Sequence, residues 1–171
     1  MDLDANPFKA QSPFLLFTGA MGTEANKNAE AWLVHDLWPR IAKARPEMRL
    51  SLEDEGMPVE PAREACAVSG IEGIGEVPDV RLCFQNASVA LVPRRIGGGI
   101  RFKIMEAMAQ GNLVVSTRKG VEGLGPTDGE NILFADKPTA FVEAALGRLS
   151  DRVFFDRCRH AARSFMEQCF D

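Results

Sequence analysis

A glycine-rich segment flanked by cations is the part of this sequence with the clearest capacity for chemistry. Three consecutive glycines occupy positions 97–99, and Arg101 and Lys103 follow at the start of a predicted helix. Glycines let a backbone approach a ligand closely, and the free amides of a helix N-terminus point toward an anion. Cations in a first helical turn oppose the macrodipole, and a bound anion removes that cost. The segment predicts a phosphate site, although Lys103 can also pair with Glu106 one turn along the helix.

The charge distribution supports a site for a small anion. Residues 94–119 hold six basic residues and one acid, a net charge of +5, whereas the rest of the chain holds 14 basic and 23 acidic residues. Surfaces that bind nucleic acid spread their lysines and arginines over a broad face that contacts many phosphates. Because the positive charge here is confined to one short segment, we expect no nucleic-acid partner.

Other well-known site motifs are absent from the sequence. The glycine segment is not a Walker P-loop, and no G-x-G-x-x-G opens a helix after the first predicted strand. The four cysteines form no Cys-x-x-Cys pair, and the two histidines are 125 residues apart. We therefore expect no structural metal and no disulfide framework.

The hydrophobic pattern predicts alternating strands and helices. Short, almost continuous apolar runs are typical of strands covered on both faces of a parallel sheet. The predicted strands are 14–18, 48–52, 71–74, 88–92, 112–116 and 132–134, and the predicted helices are 26–44, 101–110, 139–149 (capped by Thr139) and 151–168. The fold class is α/β, a single Rossmann-like domain with a mostly parallel sheet and helices on both faces.

Length and hydropathy predict how the chain is organised. Its 171 residues, 46% of them apolar, suit one domain, and no apolar run approaches the roughly 20 residues that cross a bilayer. We divide the chain into a linker at 1–13 and a single Rossmann-like domain at 14–171. Its acidic first residues do not resemble a signal peptide, so we expect a cytoplasmic location.

Residues 97–111, together with 113–117 and 120–124, resemble the C-terminal half of group 1 retaining GT-B glycosyltransferases. The resemblance extends upstream through 77–80 and 17–21 and downstream through 128–130, and so covers nearly the whole chain. It implies a domain that holds a nucleotide-diphosphate sugar as donor for retaining, hexosyltransferase-like transfer in a cleft between two domains. It also implies that 1–13 corresponds to the interdomain connection, that the acceptor-binding N-terminal domain is missing, and that these residues alone are inactive. The resemblance leaves open whether the full enzyme associates with a membrane surface.

The resemblance also assigns residues, with some departures from the family pattern. The family's second glutamate, which binds the donor ribose, matches Glu106, whereas its first glutamate would fall at Gly98. Ala20 replaces the usual arginine after the first strand, so Arg101 and Lys103 become the better diphosphate ligands. Acids at 53–55 follow the second strand, where they would repel a diphosphate. The candidate binding residues are Gly97, Gly98, Gly99, Arg101, Lys103, Glu106 and Glu122, with no catalytic residue, metal or separate cofactor assigned.

Two other functions fit the same residues. A nucleotide-sugar epimerase can share the GT-B architecture, because a fold alone does not separate chemistries. A non-catalytic module that binds nucleotides or anions would use the same glycine segment and cations. The family motif favours the glycosyltransferase.

Overall fold

The chain folds around a six-stranded parallel sheet whose strands alternate with helices. This is a computed structural model, and it describes residues 13–54, 64–98, 102–147 and 149–170. The strands are β1 (Phe14–Thr18), β2 (Arg49–Glu53), β3 (Ile71–Gly75), β4 (Val89–Val92), β5 (Val114–Ser116) and β6 (Leu133–Phe134). The α-helices are α1 (Glu24–Trp32), α2 (Trp38–Ala44), α3 (Val80–Asn86), α4 (Phe102–Ala109), α5 (Pro138–Gly147) and α6 (Arg152–Phe170). Short 3₁₀ turns lie at Glu64–Ala67 and Lys119–Val121.

The strand order confirms the predicted fold class and adds the topology. From one edge to the other the sheet runs β3-β2-β1-β4-β5-β6, and every pairing is parallel. The chain builds outward from β1 to β3, returns to the middle, and then builds outward from β4 to β6. The order therefore reverses between β1 and β4, and the crevice at such a switch point is where open α/β sheets bind ligands.

Both faces of the sheet are covered, which explains the nearly continuous apolar runs. Alternate residues of β1 point to opposite sides: Leu15 and Phe17 join one buried cluster, and Leu16 joins the other. The first cluster includes residues of α1, α2 and α5, and the second includes residues of α3, α4 and α6. Because neither face is left to solvent, the strands need apolar residues at successive positions rather than at every second one.

The helix predicted at 26–44 forms, but with an irregular middle. Between α1 and α2 the segment Leu33–Leu37 is a π-helix, in which the N–H of Trp38 donates to the carbonyl of Leu33. Pro39 lies in the first turn of α2, where it has no N–H to donate and its ring would crowd the carbonyl four residues earlier. A wider turn before the proline relieves that crowding and keeps an apolar stripe of Val34, Leu37, Trp38 and Ile41 buried.

One local prediction needs correction, one helix was not predicted, and one predicted segment lies mostly outside the described residues. Thr139 does not cap α5, because the helix begins at Pro138, a residue well suited to a first helical position. The two-turn helix α3, capped by the Asp79 carboxylate, was not indicated by any long apolar period. Most of the predicted linker, residues 1–12, lies outside the described residues. Within the described ranges, no helix combines the length and hydropathy of a membrane span.

Asn112 joins the start of β5 to the end of α3. Its side chain is 1% exposed, and its amide donates to the carbonyls of Phe84 and of Ala87, the latter at 3.2 Å. These carbonyls belong to the last turn of α3, where helix carbonyls have no partner within the helix. One buried amide therefore satisfies the end of a helix that packs beside the cleft described below.

We expect Asn112→Ala to lower the free energy of unfolding by about 1–3 kcal/mol, because two buried carbonyls lose their donor. Urea denaturation followed by circular dichroism measures this difference. Gln85→Ala is the matched control, since the Gln85 amide makes an exposed hydrogen bond to Gln110, and we expect it to change stability by less than about 0.5 kcal/mol. Equal losses in the two variants would contradict a helix-capping role for Asn112.

Candidate nucleotide-binding cleft

A cleft of about 210 Å³ opens where the carboxyl ends of β1 and β4 diverge. The turn after β1 forms one wall, with Gly19 and Ala20, and the segment after β4 forms the other, with Pro93 and Arg94. Helices α1 and α4 close the sides. The cleft therefore occupies the switch point of the sheet, which agrees with the expectation for this topology.

The wall after β1 is fixed by side chains that bind its backbone. Asn26 of α1 donates from its side-chain amide to the carbonyl of Ala20 at 2.9 Å, and its own N–H donates to the Thr23 hydroxyl that caps α1. Gly19 has no room for a side chain, because an added Cβ would lie 3.0 Å from the Asn26 side chain. The turn is therefore held close to α1, and its shape depends on Gly19 and Asn26.

The acids after β2 support this wall. Glu53 and Asp54 are 2% and 1% exposed, and the Asp54 carboxylate accepts the N–H of Met21 at 3.0 Å. The N–H of Gly19 donates to the carbonyl of Glu53 at 3.2 Å, so the two loops are also joined through their backbones. Both carboxylates are buried, and Glu55 lies outside the described residues. The Asp54 side chain and the Glu53 backbone therefore support the loop after β1.

The segment after β4 is held by the side chain of Arg94. The Arg94 guanidinium donates to the carbonyl of Ile96 at 3.1 Å and to that of Gly98 at 2.9 Å. Gly97, between them, has a φ of +84°, a conformation that favours glycine. An added Cβ at Gly97 would lie 2.9 Å from the Ala25 Cβ and 3.0 Å from the Arg94 guanidinium, whereas one at Gly98 would meet nothing within 4 Å. Gly97 is therefore required by backbone geometry and packing together.

Two other contacts fix the same segment to its neighbours. Arg95 donates to the side-chain oxygen of Asn28 at 3.2 Å and lies over the Trp32 ring at 5.0 Å, so it ties the segment to α1. On the other side, the hydroxyl of Thr117, which follows β5, donates to the carbonyl of Arg94. Thr117 is 2% exposed. Sequence reasoning missed this residue, because a single threonine after a strand carries no specific signal.

Lys103 lines the cleft and Glu106 lies beside it on α4. The Lys103 ammonium is 3.9 Å from a carboxylate oxygen of Glu106, the pairing anticipated from their spacing. Glu106 also faces α3: its charge contributes to the raised pKa of Arg81, which is due first to the hydrogen bond from Arg81 to Asp79. Gly99 and Arg101, the remaining predicted residues of this segment, lie outside the described residues.

The side of α3 that faces this region carries a thiol among charges. Burial raises the pKa of the Cys83 thiol, and the charges of Glu53 and Asp79 raise it further, while the charge of Lys103 lowers it. The Cys83 thiol is therefore neutral and half-buried, and it interacts electrostatically with Lys103. Among residues outside the masked ranges, no group of three or more histidine, cysteine or acidic side chains is arranged to hold a metal ion.

Glu122, the last predicted binding residue, pairs with a lysine of its own turn. It follows the 3₁₀ turn at Lys119–Val121, its side chain is 61% exposed, and its carboxylate is 2.6 Å from the Lys119 ammonium. The described lining of the cleft does not include it. Gly120, in the same turn, approaches the ends of β4 and β5 closely, since an added Cβ would collide with the Ser116 hydroxyl and lie 3.1 Å from the Val92 side chain.

Comparison with known proteins decides the family. Residues 12–151 match the family described as "Glycosyl transferases group 1". The chain belongs to this family. It is also 21% identical, over 164 residues, to an "Uncharacterized 44.6 kDa protein in cps region" of Klebsiella pneumoniae; this match covers 92% of the present chain and 42% of the relative.

Solved structures of glycosyltransferases share the fold. TarM of S. aureus superposes on all of this chain with a TM-score of 0.75 at 12% identity, and the match covers 35% of TarM. HepE of Anabaena, solved in complex with UDP and glucose, gives a TM-score of 0.75 at 15% identity, covering 96% of this chain and 46% of HepE. A sucrose-phosphate synthase from Thermosynechococcus elongatus gives 0.69 at 17% identity, covering 100% of this chain and 43% of the synthase. The predicted resemblance to one Rossmann-like half of a GT-B glycosyltransferase is confirmed, and the chain spans less than half the length of each of these proteins.

We expect Gly97→Ala to disturb the segment after β4 and Gly98→Ala to leave it intact. The first substitution places a methyl group against Ala25 and Arg94 at a positive φ, and the second places it in open space. A penalty of roughly 1–3 kcal/mol in stability follows for Gly97→Ala, against less than about 0.5 kcal/mol for Gly98→Ala. Thermal unfolding of the two variants checks this difference, and equal midpoints would show that the segment does not adopt the described conformation.

Proposed function

We propose that this chain binds a nucleoside diphosphate sugar at the carboxyl ends of β1 and β4, as the donor-binding half of a retaining, hexosyltransferase-like enzyme. The single observation that carries the proposal is the cleft at the switch point, which is lined by Arg94 ahead of the glycine segment, by the start of α4 and by the cation of Lys103. Family membership supports a sugar-transfer role. HepE and a TarM variant have been solved in complex with UDP, which makes a uridine nucleotide the first donor to test.

The diphosphate lies, in this proposal, between the glycine segment and the first turn of α4. The positive end of the α4 helix dipole favours an anion there, as do free backbone amides, which the sequence predicts for the glycine segment. Lys103 lines the cleft from α4, and the sequence predicts Arg101 as a second diphosphate ligand. These groups stabilise the negative charge that develops on the leaving diphosphate during transfer.

The ribose lies further along α4, against Glu106. A carboxylate can accept hydrogen bonds from two neighbouring hydroxyl groups at once. Two observations support this assignment: one Glu106 oxygen is buried without a hydrogen-bond donor, and Lys103 is 3.9 Å from it, so the carboxylate keeps accepting capacity. The role predicted for Glu122 stays a prediction, since the described geometry pairs this residue with Lys119.

Transfer to an acceptor requires a second binding surface opposite the cleft. Catalysis of a two-substrate reaction depends on holding both reactants in one geometry. The described residues build one sheet with one donor cleft, and we propose that a second domain supplies the acceptor. We therefore expect residues 1–171 by themselves to bind donor without transferring sugar. The cytoplasmic location stays a prediction.

We expect UDP to raise the melting temperature of the chain more than uridine does, because the diphosphate supplies the anion that the cleft accommodates. A ligand at 100 times its dissociation constant adds about 2.7 kcal/mol of stability. Thermal-shift measurements with UDP, GDP and ADP, and with their sugars, identify the base.

Lys103→Ala should lower UDP affinity by about tenfold or more, since a charged hydrogen bond contributes about 1.5–3 kcal/mol. Lys119→Ala is the matched control, because Lys119 is paired with Glu122 outside the described cleft lining.

No stabilisation by any of these nucleotides would contradict the donor site. An equal loss of affinity in the Lys103 and Lys119 variants would instead indicate a general effect of positive charge.

A second prediction separates ribose from phosphate. Glu106→Gln should weaken UDP binding by roughly 1–3 kcal/mol and leave inorganic pyrophosphate binding nearly unchanged, because the sugar hydroxyls lose their charged acceptor. Isothermal titration calorimetry with both ligands measures the difference, and 2′,3′-dideoxy-UDP should bind the unmodified chain as weakly as UDP binds the variant. Glu167→Gln on α6 is the control, since its carboxylate pairs with Arg163 on the surface. A similar, weak response to both ligands would assign Glu106 to Lys103 alone.

A further inference from the structure

The Arg94 guanidinium binds two carbonyls of its own loop, and this contact has a consequence for ligand binding. We propose that Arg94 is a positioning residue that shapes the glycine segment into an anion-binding turn. The proposal rests on the function proposed above and adds a residue to it. Within the basic segment, residues 94–119, the sequence favours Arg101 and Lys103 as the phosphate ligands.

The geometry of the contact requires a guanidinium. Its Nε donates to the carbonyl of Ile96 at 3.1 Å, and one terminal nitrogen donates to the carbonyl of Gly98 at 2.9 Å. The donors of arginine form a rigid planar fork that can hold two acceptors at once, whereas a lysine ammonium is a compact point charge on a flexible stem. One side chain thus holds two carbonyls that lie two residues apart, on either side of Gly97.

The fork extends from a fixed backbone position. The N–H of Arg94 donates to the carbonyl of Val92 at 2.9 Å, and its carbonyl accepts the buried hydroxyl of Thr117. Thr117 is joined in turn to the end of β4, since its N–H donates to the carbonyl of Val92 at 3.2 Å. The guanidinium is therefore anchored to β4 and to the loop after β5 before it contacts the glycine segment.

The contact changes which backbone groups a ligand meets. Carbonyl oxygens that face a bound diphosphate would repel it, and Arg94 draws two of them to its own positive charge. In a planar trans peptide the carbonyl and the following N–H point in opposite directions, so binding the Ile96 carbonyl turns the N–H of Gly97 away from the guanidinium. Gly97 makes this arrangement sterically feasible, because a side chain there would collide with the guanidinium.

Hydrogen exchange and calorimetry on Arg94 variants test the proposal. In Arg94→Ala and Arg94→Lys, amide exchange in the peptide that covers residues 93–98 should become faster than in the unmodified chain without any ligand present. UDP affinity should fall by at least about tenfold in both variants, the range for lost charged hydrogen bonds. Low millimolar guanidinium chloride should restore much of the UDP affinity of Arg94→Ala, and methylammonium should not. Arg94→Gln, which keeps a neutral amide donor, provides a second variant should the alanine variant be poorly folded.

Arg118→Ala is the charge-matched control, because this arginine belongs to the same basic segment but pairs with Asp136 on the surface at 3.5 Å. It should leave exchange in residues 93–98 unchanged. Normal UDP affinity in Arg94→Lys would overturn the proposal, since charge alone would then suffice, and so would unchanged exchange in the Arg94 variants. Failure of the unmodified chain to bind UDP would overturn the proposed function, while faster exchange in the variants would still support the positioning role.

Discussion

The parallel pairing of β1 with β4 is the constraint on which the rest of the structure depends. Leu15 pairs with Val89 and Leu16 with Ala90, near the amino ends of the two strands, and the carboxyl ends then diverge. Each strand is followed by a connection that leaves in the opposite direction across the sheet, so the space between the two connections stays open. The cleft, its two walls and the helix that carries Lys103 all follow from this one reversal of strand order.

An open cleft leaves loop backbone without the hydrogen bonds of a sheet, and this protein satisfies that backbone with side chains. Asp54 and Asn26 hold the turn after β1, Arg94 holds the segment after β4, and Thr117 joins that segment to the loop after β5. Such bonds let irregular backbone remain in one conformation although it faces a cavity. A cleft whose backbone is already held in one conformation has a smaller ordering cost when it binds a ligand.

The basic residues of the segment 94–119 have two uses: some make contacts with other side chains, and Lys103 lines the cleft. Arg95 packs on Trp32, Arg118 pairs with Asp136, and Lys119 pairs with Glu122. Exposed ion pairs of this kind contribute little to stability, yet they fix where each charge lies. Lys103 lines the cleft and also approaches Glu106. The positive charge concentrated in residues 94–119 therefore lies partly in the cleft and partly in the ion pairs and ring contacts around it.

The sequence by itself determined the fold class, the bounds of the six strands and of the four predicted helices to within two residues, and the family. Short, nearly continuous apolar runs favour buried strands, and the structure has a strand at each of them. The motif from Gly97 to Gly111 is long and specific enough to identify the family, as the match over residues 12–151 confirmed. These features are local, because hydrophobic period and motif spacing are properties of neighbouring residues. The tertiary structure decided the strand order, the burial of Glu53 and Asp54, and the roles of Arg94, Asn112 and Thr117. Each of those depends on residues distant in sequence that the sheet brings together: Asp54 contacts Met21 only because β2 lies beside β1, and Thr117 contacts Arg94 only because β5 lies beside β4.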